Sequence, residues 1–387
     1  MAMADSSCRV ALSDQLEATL YREWSFPPEV ISRWEALALE YGDLGGFLTH
    51  GAFSCWWNSF GDKTEPLVTV ISSQGKVKGI FPCQLVPSRK PLHCPDIRSL
   101  TNCESHCFDF LVEEHGRRET LSGFLGAVQR TFPGAGIAIE KIPADGPNAP
   151  LLLDLLAKRK GWYYQMFNPC APWLQVPACE SDLAGQLSGR LKKTLRQSRN
   201  RAEREGGFSL QVVSESRSLD AVLSEVFDAE YRSWKGRAGT AIKCRQDAES
   251  FYRTLAHQAM ERGSLLLFLL RLDNRVTAAC FCLARGRTLF VLKTGYDEHY
   301  RHLTPGILLL AEVLTYCREK GGFSVCDLRG VCEPWKMEWT DKTCLSGMIE
   351  AFPPSAGGGL DYLTSYGWKL YLKRFRLVNY CLKRFSQ

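Results

Sequence analysis

The sequence predicts a mixed α/β protein made of two consecutive units with the same order of elements. In each half, two helical segments precede two apolar strands joined by a short turn, at 73–75 in the first half and at 273–274 in the second. Each half then continues with alternating strands and helices, which is typical of α/β folds. The repeat is one of element order, without visible sequence identity.

Apolar periodicity and turn residues place the individual elements. In the first half, the predicted helices are 28–42, 47–60, 119–132 and 149–160, and the predicted strands are 67–72, 76–85, 107–112, 136–142 and 162–168. In the second half, the predicted helices are 218–235, 247–262 and 305–320, and the predicted strands are 264–272, 276–285, 288–294, 323–328 and 344–352.

Changes in composition predict the domain organisation. The predicted parts are an N-terminal extension at 1–27, a first domain at 28–178, a basic linking helix at 179–207, a second domain at 208–352 and a C-terminal segment at 353–387. Within the last segment, the run PPSAGGG predicts a flexible break. The basic helix predicted after it either packs on the body of the protein or lies on an anionic membrane surface.

Overall composition indicates a globular protein. Of the 387 residues, 45% are hydrophobic and 23% are charged, which is ordinary for a chain with sizeable cores. The N-terminus has no apolar signal core, and the most apolar run, 264–272, is too short to span a bilayer. We therefore expect a cytoplasmic protein without a transmembrane segment. The net charge of +6 does not by itself indicate nucleic-acid binding.

The sixteen cysteines are scattered singly through apolar contexts, so we expect reduced core residues and no disulfide framework. One cluster has the residue types of metal ligands, namely His93, Cys94, Cys103, His106 and Cys107. It lacks the paired CxxC spacing of zinc ribbons and fingers. The prediction is therefore that the protein binds no metal.

Basic residues concentrate in a helix predicted at 181–205, whose leucines recur every four residues. The basic positions are Arg190, Lys192, Lys193, Arg196, Arg199, Arg201 and Arg204. Two interpretations remain open. The helix is either a solvated link between the two halves or a site for the phosphates of a nucleotide or RNA.

A strand end, a loop and a helix at 293–320 have the features of an anion site. Thr304 is predicted as the N-cap and Pro305 as the first helical residue. Gly306 places no side chain in the first turn of the helix. Free N–H groups and the helix dipole favour anions, and Arg301 and His302 add positive charge. The alternative is a well-capped core helix. The first half has VEEHGRRETLSGF at the corresponding place, without Thr-Pro-Gly, so we expect only the second half to bind phosphate.

Several short motifs, taken in order, resemble a known family. They are Trp234-Lys235-Gly236, Gly295-Tyr296-Asp297, Pro305-Gly306, Asp327 with Gly330, and Lys336 with Trp339. In this order they resemble the GNAT-like acetyltransferase family that includes CelD-type cellulose-biosynthesis proteins. That family is similar to the Fem-type peptidoglycan aminoacyltransferases, which have two tandem GNAT-like domains. The resemblance covers about 28–350 and is strongest over 227–342. In simple GNAT enzymes the loop is Arg/Gln-x-x-Gly-x-Gly/Ala, whereas here one glycine replaces two.

The resemblance implies two tandem GNAT-like domains of the acyl-CoA N-acyltransferase fold. It implies transfer of an acyl group from acetyl-CoA or another acyl-CoA to an amine of a small molecule, saccharide or peptide bound between the domains. The residues implied to bind the donor are Arg301, His302, Thr304, Pro305, Gly306 and Ile307. A backbone N–H of the strand 288–294 would stabilise the oxyanion.

The resemblance also implies roles for individual side chains. Tyr296 or Tyr300 would protonate the leaving thiolate, and Asp297 or Asp327 would accept the amine proton. Lys336 would neutralise phosphate or carbonyl charge. The implied walls of the acceptor pocket are Trp234, Lys235 and Trp339.

Two other functions remain open at this point. An aminoacyl-tRNA-dependent transferase would account for the basic helix. A non-catalytic partner of polysaccharide biosynthesis would have kept the fold without the chemistry.

Overall fold

The computed structural model describes residues 7–13, 15–87, 95–176, 185, 187–320 and 322–367. Its strands are β1 Ser7–Ala11, β2 Glu17–Tyr21, β3 Glu65–Ser73, β4 Lys76–Val86, β5 Asp96–Ser99, β6 Leu111–Val112, β7 Gly136–Pro143, β8 Trp162–Cys170, β9 Trp173–Gln175, β10 Phe208–Val213, β11 Leu265–Leu272, β12 Arg275–Arg285, β13 Thr288–Tyr296, β14 Val325–Asp327 and β15 Cys344–Phe352. Its α-helices are α1 Pro28–Glu40, α2 His50–Phe60, α3 Arg117–Thr131, α4 Ala149–Ala157, α5 Gly189–Arg204, α6 Leu219–Tyr231, α7 Trp234–Arg237, α8 Gln246–Glu261, α9 Pro305–Glu319, α10 Pro334–Met337 and α11 Ala356–Tyr362.

The chain forms two compact units. Unit 1 comprises 1–37, 61–168 and 346–387, and unit 2 comprises 38–60 and 169–345. Each unit therefore combines segments that are distant in sequence. The domain boundaries predicted from composition stay predictions.

Each unit is built on one mixed sheet. In unit 1 the strand order is β1-β2-β3-β4-β5-β7-β15-β8, with β6 also pairing with β4. In unit 2 the order is β10-β11-β12-β13-β14-β9. In both sheets a run of antiparallel pairs leads to one parallel pair, β5–β7 or β13–β14. The two sheets thus share one strand order from β2 to β7 and from β10 to β14, which confirms the predicted repeat of element order.

The core of unit 2 lies on both faces of its sheet. Helix α9 packs on β11, β12 and β13, and residues such as Phe268 and Cys280 face it in one hydrophobic cluster. On the other face, Phe281 contacts the ring of Tyr252 from α8, with ring centroids 5.5 Å apart. This alternation follows from the two-residue period of a strand. It fixes which β13 side chains point toward α9.

Most predicted elements are confirmed, because their apolar patterns are strong. Both predicted hairpin turns contain residues with positive φ, Gln74 with Gly75 and Asp273 with Asn274. The strand predicted at 107–112 is wrong for its first four residues, since only Leu111–Val112 is a strand. Strands β1, β2, β5, β9 and β10 were not predicted, because they are short or lie next to polar residues.

The segment at 353–359 is partly helical, since α11 begins at Ala356 under an N-cap hydrogen bond to the side chain of Ser355. A Cβ at Gly359 would press on the ring of Trp162, so this glycine permits close packing. Most of the helix predicted at 361–385 lies outside the described residues. Within the described part of the chain, no helix is both long and apolar enough to cross a membrane.

Candidate functional site

The site begins where the parallel strands of unit 2 separate. β13 pairs with β14 only over 288–290, and β13 then continues to Tyr296 without this neighbour. A β-bulge lies in the same place. Phe281 pairs with Lys293 and the next residue of β12, Cys282, pairs with Val291, so that one residue of β13 between them has no partner. The bulge shifts the alternation of side chains, so that both Val291 and Tyr296 face α9.

A cavity of about 300 Å³ occupies the gap beside β13. Its walls come from β12, β13, the first turns of α9, the α6–α7 connection and the segment after β14. The polar side chains that line it are Ser233, Lys235, Thr294, Tyr296, Arg301, Thr304 and Glu333. A cleft with a few convergent polar groups is the usual form of a small-molecule site.

The start of α9 has the predicted N-cap residue but no side-chain cap bond. Pro305 is the first helical residue, as predicted, but the Thr304 side chain makes no cap bond. Thr304 has a left-handed backbone with φ of 46°, and its hydroxyl lies 2.5 Å from the hydroxyl of Ser198 on α5. Thr304 is therefore the N-cap residue, as predicted, but its hydroxyl is held by α5 and makes no bond to the first turn of α9.

Some of the N–H groups predicted to bind phosphate are used inside the turn. The Thr304 N–H donates to the Arg301 carbonyl, and the Ile307 N–H donates to the Thr304 carbonyl at 3.0 Å. Pro305 has no N–H. Within 304–307 this leaves the Gly306 N–H as the donor without a partner among the described residues. Gly306 lines the cavity, where a side chain would approach the ring of Tyr296.

The two predicted cations before α9 lie in different places. Arg301 is exposed and lines the cavity. His302 does not line it, since its Nε2 lies 2.9 Å from Glu205 and its carbonyl accepts a hydrogen bond from Arg201. Only Arg301 is therefore placed to meet an anion at the start of α9.

Lys235 connects the cavity to a buried carboxylate that the sequence analysis missed. Its Nζ donates to the Thr294 carbonyl at 2.7 Å and lies 3.0 Å from Glu230 Oε1. Glu230 is 2% exposed, and its other oxygen accepts the Ile242 N–H. Gly295 permits this approach, because a Cβ there would collide with the backbone of Glu230. Lys235 is thus held in one position at the cavity wall.

Glu333 is a second carboxylate that the sequence analysis missed. It lines the cavity, and its Oε2 accepts the Trp335 Nε1–H at 3.2 Å. Lys336 Nζ lies 3.1 Å from the same oxygen. Among the described residues that line this cavity, Glu333 is the one that carries a carboxylate.

Lys336 itself is buried behind the cavity wall. Its Nζ donates to the carbonyls of Arg329 at 2.8 Å and Val331 at 3.3 Å, in addition to its contact with Glu333. Burial lowers the pKa of Lys336 from its ordinary value, and the charge of Glu333 opposes that shift. An ammonium group has three donors, and these three contacts use them. Lys336 therefore fixes the segment 329–333.

The predicted acid–base residues Asp327, Asp297 and Tyr300 lie away from the cavity. Asp327 is buried and accepts hydrogen bonds from the backbone and guanidinium of Arg329, at 2.8 and 2.9 Å. Asp297 pairs with Arg232 at 2.9 Å, and both line a surface depression together with Tyr300. The structure brings only Tyr296 of the predicted acid–base set into the cavity.

The two tryptophans predicted in the acceptor pocket differ in exposure. Trp234 is 47% exposed and lines the cavity, whereas Trp339 is 4% exposed and belongs to the core cluster. Trp335, next to Glu333, also lines the cavity. Aromatic side chains therefore flank the polar rim on two sides.

The candidate metal cluster is only partly described. His93 and Cys94 lie outside the described residues. Among the residues that the structure does describe, no group of three His, Cys, Asp or Glu side chains could hold a metal ion.

Comparisons with known proteins agree with this geometry. Residues 189–337 match the sequence model of a family described as acetyltransferase (GNAT) domain. No curated protein matches the sequence. The fold is similar to that of the crystal structure of FemX, with a TM-score of 0.55 and 13% identity over 87% of this chain and 98% of that one.

Two further solved structures are similar. One is the C-terminal domain (DUF2156) of a putative lysylphosphatidylglycerol synthetase from Agrobacterium fabrum, with a TM-score of 0.50, 14% identity and coverage of 87% and 94%. The other is a conserved protein of unknown function from Bacteroides thetaiotaomicron, with a TM-score of 0.52, 11% identity and coverage of 83% and 97%. At these identities the likeness concerns the fold. The predicted fold class is confirmed as a mixed α/β fold in which each of two units contains a mixed sheet flanked by helices, and the GNAT domain match covers 189–337.

Proposed function

We propose that unit 2 transfers an acyl group from acyl-CoA to an amine. The observation that carries this proposal is the cavity in the gap between β13 and β14, with a helix start and a cation at one side and Lys235 with Glu333 at the other. An acyl transfer needs a phosphate site for the donor, a donor of hydrogen bonds for the oxyanion and a base for the amine. The match of 189–337 to an acetyltransferase domain supports the same reaction.

The start of α9 is the proposed phosphate site. The Gly306 N–H, the positive end of the helix dipole and the Arg301 guanidinium would meet the pyrophosphate. Because only the Gly306 N–H is free among the described residues 304–307, Arg301 would contribute a larger share of the affinity for the pyrophosphate.

The unpaired edge of β13 is the proposed place of the thioester. The Thr294 carbonyl accepts from Lys235 on the side away from β12, so the Thr294 N–H also points into the gap. This N–H is the proposed oxyanion donor. The Tyr296 hydroxyl, which lines the same cavity, would protonate the leaving thiolate.

Glu333 is the proposed base for the amine acceptor. It replaces Asp297 and Asp327 in this role, because those carboxylates pair with Arg232 and Arg329 away from the cavity. Lys336 would position Glu333 by holding the segment that carries it. Lys235, held by Glu230, would orient the acceptor next to Trp234.

The basic face of α5 favours a second candidate, transfer from an aminoacyl-tRNA. Its exposed positions are Arg190, Lys192, Lys193, Arg196, Arg199, Arg201 and Arg204. Of these, Arg199 pairs with Glu312. Basic side chains along one helix face are suited to a phosphate backbone. The resemblance of the sequence to CelD-type proteins stays a prediction, whether the donor is an acyl-CoA or an aminoacyl-tRNA.

Calorimetric titration of the full-length protein with CoA and acetyl-CoA tests the proposal. We expect saturable binding that Arg301→Ala weakens by about 10- to 150-fold, since a charge-assisted hydrogen bond contributes roughly 1.5–3 kcal/mol. Arg287→Ala removes the same charge at an exposed position outside the cavity and should leave binding unchanged. If CoA and acetyl-CoA do not bind but an aminoacyl-tRNA does, the second candidate replaces the first. If none of them binds, both are wrong.

A further inference from the structure

Exposed apolar side chains stand on two sides of the mouth of the cavity in unit 2. On one side, the segment that carries Glu333 exposes Val331 by 68% and Met337 by 37%. On the other side, where α6 meets α7, Tyr231 is 50% and Trp234 is 47% exposed. Large apolar side chains gain free energy when they leave water, and a group of them beside a site usually marks a surface that another molecule covers.

Positive charge lies along a further side of the mouth. The Ser198 hydroxyl of α5 lies 2.5 Å from the hydroxyl of Thr304, and Thr304 lines the cavity together with the exposed Arg301. Helix α5 therefore passes beside the mouth. Among the described residues, the carboxylate of Glu312 is the one that pairs with the basic face of α5, through Arg199. The rest of this face keeps its positive charge for an external anion.

Apolar points next to a basic helix face suit a lipid bilayer. The apolar side chains stand apart on two sides of an open cavity, so a rigid protein face would not bury them together, whereas a fluid bilayer adapts to each of them. An RNA would meet α5 through its phosphates, but Val331 and Met337 have no ring on which a base could stack. Anionic headgroups attract basic side chains, while apolar side chains enter the boundary between headgroups and acyl chains.

We propose that unit 2 docks on an anionic lipid surface with the mouth of the cavity toward the bilayer. Val331 and Met337 enter the boundary between headgroups and acyl chains, and the basic face of α5 contacts the headgroup phosphates. Trp234 lies at the level of the headgroups, where amphipathic rings are favoured. This adds a partner to the proposed function and does not depend on the acyl donor.

The test is co-sedimentation of the full-length protein with vesicles of phosphatidylcholine alone and of phosphatidylcholine mixed with phosphatidylglycerol. We expect binding to the mixed vesicles that weakens as the salt concentration rises, and weaker binding to the neutral vesicles. Absence of binding to the mixed vesicles, or equal binding to both kinds, would overturn the inference. The titration with CoA and acetyl-CoA needs no vesicles, so the proposed function is decided separately.

A matched pair of apolar variants tests the orientation. Val331→Ser should lower the partition coefficient on the mixed vesicles by about tenfold, because each buried methylene contributes about fourfold. Leu39→Ser is the control, since Leu39 is equally exposed at 70% but does not line the cavity and leads to α2, which packs on α8. We expect the control to bind like the wild-type protein. Equal losses in the two variants would overturn the placement of the mouth against the bilayer.

A second pair tests the basic face. Lys192→Gln combined with Lys193→Gln removes two exposed charges of α5, and we expect the partition coefficient to fall by about fivefold for each charge. Arg287→Gln is the control, because Arg287 is exposed just before β13 begins, whereas the mouth lies where β13 ends at Tyr296. If the double variant binds the vesicles like the wild-type protein but loses affinity for an aminoacyl-tRNA, α5 binds RNA and the inference is wrong.

Discussion

The two units have the same strand order, but the gap between their parallel strands is filled in one and open in the other. In unit 1, β5 pairs with β7 only over 96–98, and the segment 100–110 then closes the gap. The Ser99 hydroxyl accepts the Glu140 N–H at 3.0 Å, and the Phe108 N–H donates to the Lys141 carbonyl at 3.1 Å. Both bonds connect this region to β7, so the edge of β7 is already bonded at Glu140 and Lys141.

Phenylalanines occupy the interior beside the closed gap. The ring centroid of Phe81 lies 4.8 Å from that of Phe110 and 4.3 Å from that of Phe124, and all three side chains are fully buried. In unit 2 the equivalent β13 runs through the same region as one strand with a bulge, and the space beside it is the cavity. The comparison teaches that this topology forms a cavity only where no side chains fill the gap.

The two helices that follow the gap also differ in charge. Helix α3 of unit 1 has Glu119 in its first turn, whereas α9 has no acidic residue there. A carboxylate at a helix start competes with an anionic ligand for the same dipole. The prediction that only the second half binds phosphate stays untested, and these contacts support it.

The largest expected effect comes from removing the proposed base of unit 2. Glu333→Gln keeps the shape of the side chain but cannot accept a proton, so we expect a loss of about 10²–10⁴ in kcat with donor affinity unchanged. The measurement is acyl transfer from acetyl-CoA. Glu338→Gln is the control, since Glu338 is exposed and does not line the cavity. If the two variants are equally active, Glu333 is not the base and the cavity of unit 2 is not the place of acyl transfer.

A second effect tests whether unit 1 is closed by packing. Phe110→Ala removes a fully buried ring, and we expect the free energy of unfolding to fall by about 3–5 kcal/mol. Denaturant unfolding measures this loss. Phe208→Ala, at a half-buried position of the edge strand β10, should cost clearly less. If the two losses are equal, Phe110 does not fill the gap in the way the geometry indicates.

The smallest effect concerns the residue just before α3 and the residue just before α9. Both residues have a left-handed backbone conformation. Gly116 has φ of 77° and Thr304 has φ of 46°. Gly116→Ala should destabilise unit 1 by about 1–2 kcal/mol, because a Cβ disfavours this backbone. Thr304→Gly should change the stability by less than about 1 kcal/mol, since relief of strain offsets the lost contact with Ser198. Thermal unfolding measures both. A larger loss for Thr304→Gly would mean that its hydroxyl contact outweighs the strain.

The order of elements could be predicted from the sequence because it depends on local patterns. The position of α9 follows from Pro305 and from the apolar stripe behind it. Thr304 is the N-cap residue, as predicted, but it makes no side-chain cap bond because its hydroxyl contacts Ser198, which is distant in sequence. No local pattern reports such a contact.

Side-chain roles were harder to predict than elements, because pairing decides them. Lys336 and Asp327 stand in the expected motifs, yet their charges are taken up by Glu333 and Arg329. Glu333 could have been noticed, since it directly precedes Pro334 and therefore sits in extended backbone at a helix start. Glu230 had no such signal, because its importance comes only from burial beside Lys235.

The last strand of the unit 1 sheet to be synthesised determines when that sheet can be completed during translation. β15 lies between β7 and β8 in the sheet of unit 1, although the ribosome makes it after all of unit 2. Until Cys344–Phe352 has left the exit tunnel, β7 and β8 have unpaired edges of the kind that recruit other chains. A nascent or truncated chain ending before 344 therefore exposes an aggregation-prone edge. The unpaired edges of β7 and β8 would therefore need protection until β15 is made, although the synthesis of unit 1 begins first.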